Sequence, residues 1–137
     1  MGSLVERLIA AITNKDVEAF GSLFAIDAVM YEPLLAEPAR GKSAIVEGEA
    51  SLFRAFSDIS ITVRNELTSD STVMVEVVLS ATNDGPMDLG TGDVPPTGRR
   101  VDVPMVWALD LNEQGLIIEE RDYFDTSLIM AQLQLSE

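Results

Sequence analysis

RRVDVPMVWALDLNEQGLIIEERDYFD, residues Arg99 to Asp125, reads as two long strands joined by a tight reversal, and the rest of the chain can be placed around it. Val101, Val103, Met105, Trp107 and Leu109 share one parity, which strict alternation puts on a single apolar sheet face. Asn112-Glu113-Gln114-Gly115 turns the chain, with Gly115 suited to a positive φ, so the second strand is expected to run back antiparallel from Leu116. On that strand Ile118, Glu120, Asp122 and Phe124 fall on one side, while Glu119, Arg121 and Tyr123 fall on the other. Two carboxylates thus face the same way. If theirs is the apolar concave face, desolvation and like-charge crowding raise the pKa of at least one, as an acid-base catalyst requires.

Composition narrows the chemistry further. The 137 residues, 47% hydrophobic and 23% charged, suit one domain with one site, and no apolar run approaches the roughly 18 residues of a membrane span. The start, MGSLVERLIAAITNKD, has an acidic residue and polar breaks where a signal peptide would be basic and then apolar, so a cytosolic, cytoplasmic setting is expected. Cysteine and histidine are both absent. Disulfides, thiolate nucleophiles, His-based triads and the commonest transition-metal ligands are therefore excluded, and proton transfer falls to carboxylates, Tyr or Lys. No metal and no cofactor are expected. A formal charge of −14 disfavours nucleic acid and anionic membranes, leaving a neutral or cationic ligand.

The remaining segments supply helices and further strands. Ser3 with Glu6 is a capping-box pattern opening a first helix, and Asp16 can cap a shorter second one ending near Ala25. A short strand, Ala28 to Tyr31, leads into a proline-containing loop, Glu32 to Gly41. A third helix is expected from about Ser43 to Phe56, with Glu47 and Glu49 near its positive end. Alternation from Ile59 and from Val73 to Ala81 marks two more strands, the second carrying Val75, Val77 and Leu79 on one face and Met74 and Val78 on the other. Thr82 to Gly98 is rich in Gly, Pro and Asp and reads as a mobile segment or a lid. Asp125 can cap a last short helix. Helices first and antiparallel strands afterwards predict an α+β domain over 1–137, a cone-shaped curved sheet wrapped around the N-terminal helices and enclosing one apolar pocket. Gly90-Thr91-Gly92 lacks the third glycine of a dinucleotide loop, and Asp84, Asp88 and Asp93 lack calcium-loop spacing.

The loop YEPLLAEPARGKSAI, then PPTGRRVDV, then the ending EERDYFD and a leucine-and-glutamine helix resemble the SnoaL-like polyketide cyclases. That family sits in the superfamily named for nuclear transport factor two, beside ketosteroid isomerases and limonene epoxide hydrolases. Arg121-Asp122-Tyr123-Phe124-Asp125 is similar to the epoxide hydrolase ending, which implies a catalytic Asp122. The Arg and Asp that complete that family's triad correspond to Val75 and Val77, so the triad is broken; Tyr31 stands at its water-holding tyrosine and Pro33 at its asparagine. Against the isomerases, Glu32 takes the place of the aspartate base, while Leu8 and Trp107 stand where the oxyanion donors would be. The resemblance implies an acid-base cyclisation or isomerisation of a small hydrophobic, oxygenated ligand, polyketide- or terpenoid-like, with Asp122, Glu32 and Glu120 as the catalytic candidates. Tyr31, Val75, Val77 and Leu79 are the expected pocket wall on one side. Val103, Met105, Trp107 and Phe124 are expected on the other. Two alternatives stay open for the function: a binding protein without turnover, and a divergent epoxide hydrolase. For Asp122 itself the alternative is a salt bridge to Arg64 or Arg100, which would lower its pKa. A homodimer through the outer sheet face is expected, because Met74 and Val78 would otherwise leave an apolar patch on an open sheet.

Overall fold

The structure, a computed structural model, describes residues 2–88 and 92–135. Three helices begin where the caps predict. Ser3 Oγ accepts from the Glu6 backbone N–H while Glu6 Oε1 accepts from that of Ser3, starting α1 (Leu4–Thr13). Asp16 accepts from the Ala19 N–H at the head of α2 (Val17–Gly21), and Asp125 from the Ser127 N–H at the head of α4 (Thr126–Leu133). Helix α3 (Lys42–Ala55) lies between them in sequence.

The main sheet contains β1 (Phe24–Tyr31), β2 (Ala39–Arg40), β3 (Phe56–Ser69), β4 (Thr72–Asn83), β7 (Arg100–Leu111) and β8 (Ile117–Tyr123), in the order β2-β1-β8-β7-β4-β3. All neighbours are antiparallel except β1 and β8, so the sheet is mixed. Strand β1 is longer than the Ala28–Tyr31 expected from alternation, because α2 stops at Gly21 and Phe24 already pairs with Ile117. The reversal after β7 forms as read: Gly115 has φ 79, its N–H reaches the Asn112 carbonyl, and Asn112 Oδ1 accepts from the N–H groups of Gln114 and Leu116.

One register detail departs from the alternation. Asp110 pairs with Glu119 but Leu111 with Ile117, so Ile118 is an extra residue in a bulge. Ile117 is fully buried and Ile118 is 40% exposed, on the outer side rather than beside Glu120. The bulge resets the parity, and from Glu119 onward the expected faces hold.

The core lies between the concave face of the sheet and the helices. Val5, Leu8 and Ile12 of α1, Phe20 of α2 and Ile45 of α3 are buried against Val75, Val77, Val103 and Leu109. The expected loop Thr82–Gly98 is partly regular: β4 continues to Asn83, and β5 (Met87–Asp88) pairs with β6 (Asp93–Val94). Residues 89–91 of that expected loop lie outside the described residues. Its near end is pinned by Asn83, wholly buried, whose amide nitrogen donates to the carbonyls of Ala55 and Gly85 and whose oxygen accepts from the backbone and hydroxyl of Thr97. Gly85 passes so close to the end of α3 that a Cβ there would sit 1.8 Å from the Arg54 carbonyl oxygen.

Candidate functional site

The concave face does not fill completely. A cavity of about 120 Å³ remains, roughly ten times the space that one water needs. Met105 and Trp107 of β7 line it, with Leu79 and Ala81 of β4 beside Val103 and Val101. Phe124, Ile129 and Met130 close the side toward α4, and Met30 and Leu34 the side toward β1. Expected walls Leu79, Val103, Met105, Trp107 and Phe124 therefore meet around one space.

Three of the expected wall residues are elsewhere. Val75 and Val77 are wholly buried core and do not border the cavity; their ladder partners Trp107 and Met105 reach it, and the shorter valines do not. Tyr31 points outward, 40% exposed, because β1 alternates and Met30 takes the inward place. It borders an outer cleft with Pro33, Glu119, Arg121 and Tyr123.

Four carboxyl groups border the cavity: Glu120 and Asp122 from β8, Glu32 from the end of β1, and Glu49 from the middle of α3. Among the described residues, no lysine or arginine joins them there. Glu120 is only 4% exposed. Glu49 and Asp122 keep some accessible surface, and Asp122 and Glu32 also border the outer cleft beside Tyr31. One oxygen on each of Glu32, Glu120 and Asp122 is buried with no hydrogen-bond partner.

Burial of this kind disfavours charge, and the electrostatics follow from it. Desolvation raises the pKa of Asp122 well above the usual carboxylate range, reinforced by the nearby charges of Glu120, Glu49 and Glu32. Desolvation also raises Glu120, against a hydrogen bond from Asp122 that favours its ionised form. The two carboxyls therefore titrate as a pair, with burial pushing both toward the protonated form. Glu49 is pushed up to about 8, first by burial and then by Glu120 and Glu32. Glu32 is raised by burial, and the Leu34 and Leu35 N–H groups pull it partly back.

Among the described residues, no cation neutralises the pair. Of the two alternative partners for Asp122, Arg100 is bound to Asp58 at 3.2 Å and to Thr82 on the outer side, and Arg64 is exposed on β3; neither pairs with Asp122. Arg121 faces out from β8 and is held by Asp110 at 2.8 Å and Glu119 at 2.6 Å, which lowers the pKa of Asp110.

Sequence reading brought Glu32, Glu120 and Asp122 to this site and missed Glu49. The reading grouped Glu49 with Glu47 near the positive end of the helix, whereas in α3 it lies about two turns in and lines the cavity. Its spacing of three and four from Val46, Leu52 and Phe53 was the signal that it shares their inward stripe.

Comparison with known proteins agrees with this architecture. The sequence matches the SnoaL-like polyketide cyclase family over residues 3–133. The chain belongs to that family. A structure assigned to the SnoaL-like polyketide cyclases from Jannaschia sp. CCS1 superposes with TM-score 0.83 at 23% identity, covering 98% of this chain and 91% of that one. A Catenulispora acidiphila DSM 44928 protein with a ketosteroid isomerase-like fold, solved in complex with trimethylamine, gives TM-score 0.80 at 21% identity, covering 99% and 95%. IdmH of Streptomyces antibioticus, assigned as a polyketide cyclase, gives 0.76 at 24%, covering 96% of each chain. These likenesses establish the shared α+β cone. No curated protein sequence matches the chain. No helix among the described residues is long and apolar enough to cross a membrane.

Proposed function

We propose that this SnoaL-like protein catalyses an acid-base cyclisation or isomerisation of a small hydrophobic, oxygenated ligand, polyketide- or terpenoid-like, in the cytosol. The observation that carries this reading is the buried carboxyl pair Glu120–Asp122, which borders an apolar cavity and leaves one oxygen on each member without a hydrogen-bond partner. Asp122, which burial holds toward the protonated form, gives its proton to a carbonyl or ether oxygen of the ligand. A neighbouring carboxylate, Glu120 or Glu32, takes a proton from carbon or from the attacking group, so the proton count closes over the cycle. The apolar walls exclude water, which strengthens each of these interactions and suppresses hydrolysis of the activated ligand. Ligands lacking an oxygen to receive the proton are held only by the walls.

The test compares the parent with Asp122→Asn on β-polyketide esters, enones and a monoterpene epoxide, by product formation and by Trp107 fluorescence. Binding is expected to survive while turnover falls by about 10²- to 10⁴-fold. Conversion untouched by Asp122→Asn transfers the role to Glu32 or Glu120. Quenching of Trp107 without conversion in either protein favours a binding module, a reading supported by the scarcity of hydrogen-bond donors at the cavity, where Trp107 supplies the one ring N–H. Hydrolysis of the epoxide would restore the epoxide hydrolase reading; Val75 and Val77 at the positions of that triad, both walled off from the cavity, speak against it.

A homodimer through the convex sheet face accompanies this proposal. Leu67, 65% exposed, stands beside Met74, 42% exposed, in the β3–β4 ladder on that face. Sedimentation at micromolar concentration should show a dimer, and Met74→Asp should dissociate it.

A further inference from the structure

We infer that the cavity takes organic cations: small apolar amines bound as ammonium ions, in preference to neutral molecules of the same shape. The inference deepens the proposed function and rests on the same cavity. Its lining residues come from α1, α2, α3, α4 and strands of both sheets, and among those described the ionisable ones are Glu32, Glu49, Glu120 and Asp122, all acids. Acids gathered at a surface are commonly just solvated. Here a second observation joins them: Glu120, 4% exposed, borders the cavity and keeps a buried oxygen without a hydrogen-bond partner among the described residues, and Asp122 and Glu32 each keep another. The nearest guanidinium on the same strand, Arg121, is turned to the opposite face and occupied by Asp110 and Glu119. A ligand bringing its own positive charge and N–H donor meets a need that the chain itself leaves unmet.

The charge-bearing atom is expected to be organic rather than a metal ion. Among the described residues no three acids converge in a way that could hold a metal. The walls instead offer Trp107 and Phe124 faces and Met side chains to alkyl groups, and an aromatic face also attracts an ammonium. The same arrangement bears on the reaction: an oxygenated ligand protonated by Asp122 becomes cationic, and the remaining carboxylates favour that state over an enolate. An amine of similar size is therefore an expected inhibitor.

Binding a cation makes the acids easier to ionise, so by linkage it expels protons and tightens as pH rises. The probes are N,N-dimethylbenzylamine, its carbon isostere isobutylbenzene, and phenylacetate, titrated by Trp107 fluorescence at about pH 6 and about pH 8. At the higher pH the amine should bind at least about ten-fold more tightly than the isostere, with phenylacetate not binding. Its affinity should rise with pH while that of the isostere stays flat, and calorimetry in two buffers of different ionisation enthalpy should show proton release. Glu49→Gln should weaken the amine and leave the isostere unchanged. Equal affinity for amine and isostere, or amine binding that weakens as pH rises, overturns the inference. Turnover of an oxygenated ligand with no amine preference would overturn it while leaving the acid-base reading standing; amine preference without any turnover would do the reverse.

Discussion

Asn83 and Glu120 are the buried polar side chains of this protein among its described residues, and they are buried in opposite ways. Asn83 has its amide nitrogen shared between the Ala55 and Gly85 carbonyls and its oxygen between the N–H and hydroxyl of Thr97. Glu120 has an oxygen with no partner, beside an Asp122 oxygen in the same condition. A buried polar group normally carries its hydrogen bonds with it, since leaving one unmade costs about 1–3 kcal/mol. Asn83 obeys that rule and fastens the end of α3 to β4 and the following loop. Glu120 breaks it beside the cavity, so the fold bears a cost there that a ligand can offset. Full satisfaction marks a structural polar residue in this cone, and lack of it marks the site.

The largest expected effect is on the satisfied side. Asn83→Leu has a similar volume but strands the Ala55 and Gly85 carbonyls and the Thr97 N–H together. A loss of about 4 kcal/mol is expected from that many unpaired groups, read as a lower urea midpoint with an unchanged slope. If Asn83→Leu were as stable as the parent, hydrogen-bond satisfaction would not be what separates the two residues.

Among the acids at the cavity the sign reverses. Glu49 titrates near 8 in the folded protein against an ordinary value of 4.5, because burial and the charges of Glu120 and Glu32 oppose its ionisation. Below the unfolded value both states are protonated and nothing is lost. As pH rises from about 4.5 to about 8 the unfolded chain ionises while the folded one does not, and stability declines by at most about 1.4 kcal/mol per pH unit before levelling off. Glu49→Gln removes that slope but still buries an amide, so a net gain of about 2 kcal/mol is expected at pH 8 and none at pH 4. Glu120→Gln should also stabilise at neutral pH, and by removing a repelling charge it should bring the Glu49 titration below 8, visible by carboxyl-carbon NMR. Destabilisation by either variant at pH 8 would mean that these carboxyls are bonded after all.

Gly85→Ala comes next, at about 2 kcal/mol of destabilisation, because the added Cβ meets backbone, the Arg54 carbonyl 1.8 Å away, and one of the two segments must shift. The loss should appear as a lower urea midpoint with an unchanged slope.

How much of this contrast could be read in the sequence depended on periodicity. The β7–β8 hairpin, the caps at Ser3, Asp16 and Asp125 and the cone itself follow from local patterns, and the inward pair Glu120–Asp122 follows from a parity count along one strand. The count failed where geometry inserts a residue, at the Ile118 bulge, since a bulge leaves no mark in hydrophobic alternation. It also failed to tell core from cavity: Val75 and Val77 share the parity of Leu79, and only the depth of the cone decides which of them borders empty space. Tyr31 was assigned by resemblance against its own parity, with Met30 beside it facing in. Glu49 and Asn83 were invisible for a common reason. Each owes its role to a meeting between distant segments, α3 with β8 in one case and β4 with the ends of a long loop in the other.

The smallest expected effect isolates a single bond in the satisfied cluster. Thr97→Val keeps the volume and branching of the side chain but removes the hydroxyl that donates to Asn83 Oδ1 at 2.9 Å and accepts from the Arg99 N–H at 3.2 Å. Asn83 Oδ1 retains the Thr97 N–H, also at 2.9 Å, so no buried atom is stranded, and the exposed Arg99 N–H can turn to water. The cost should then be that of one ordinary net hydrogen bond, about 1 kcal/mol. Made in the Asn83→Leu background the same change should cost almost nothing, because the acceptor has already gone; the difference between the two backgrounds is the coupling energy. Urea unfolding of the parent, both single variants and the double variant measures it. Equal costs in the two backgrounds would show that Thr97 acts through Arg99 rather than through Asn83. A Glu120→Gln background, by contrast, should leave the cost of Thr97→Val unchanged, since Glu120 and Thr97 share no partner.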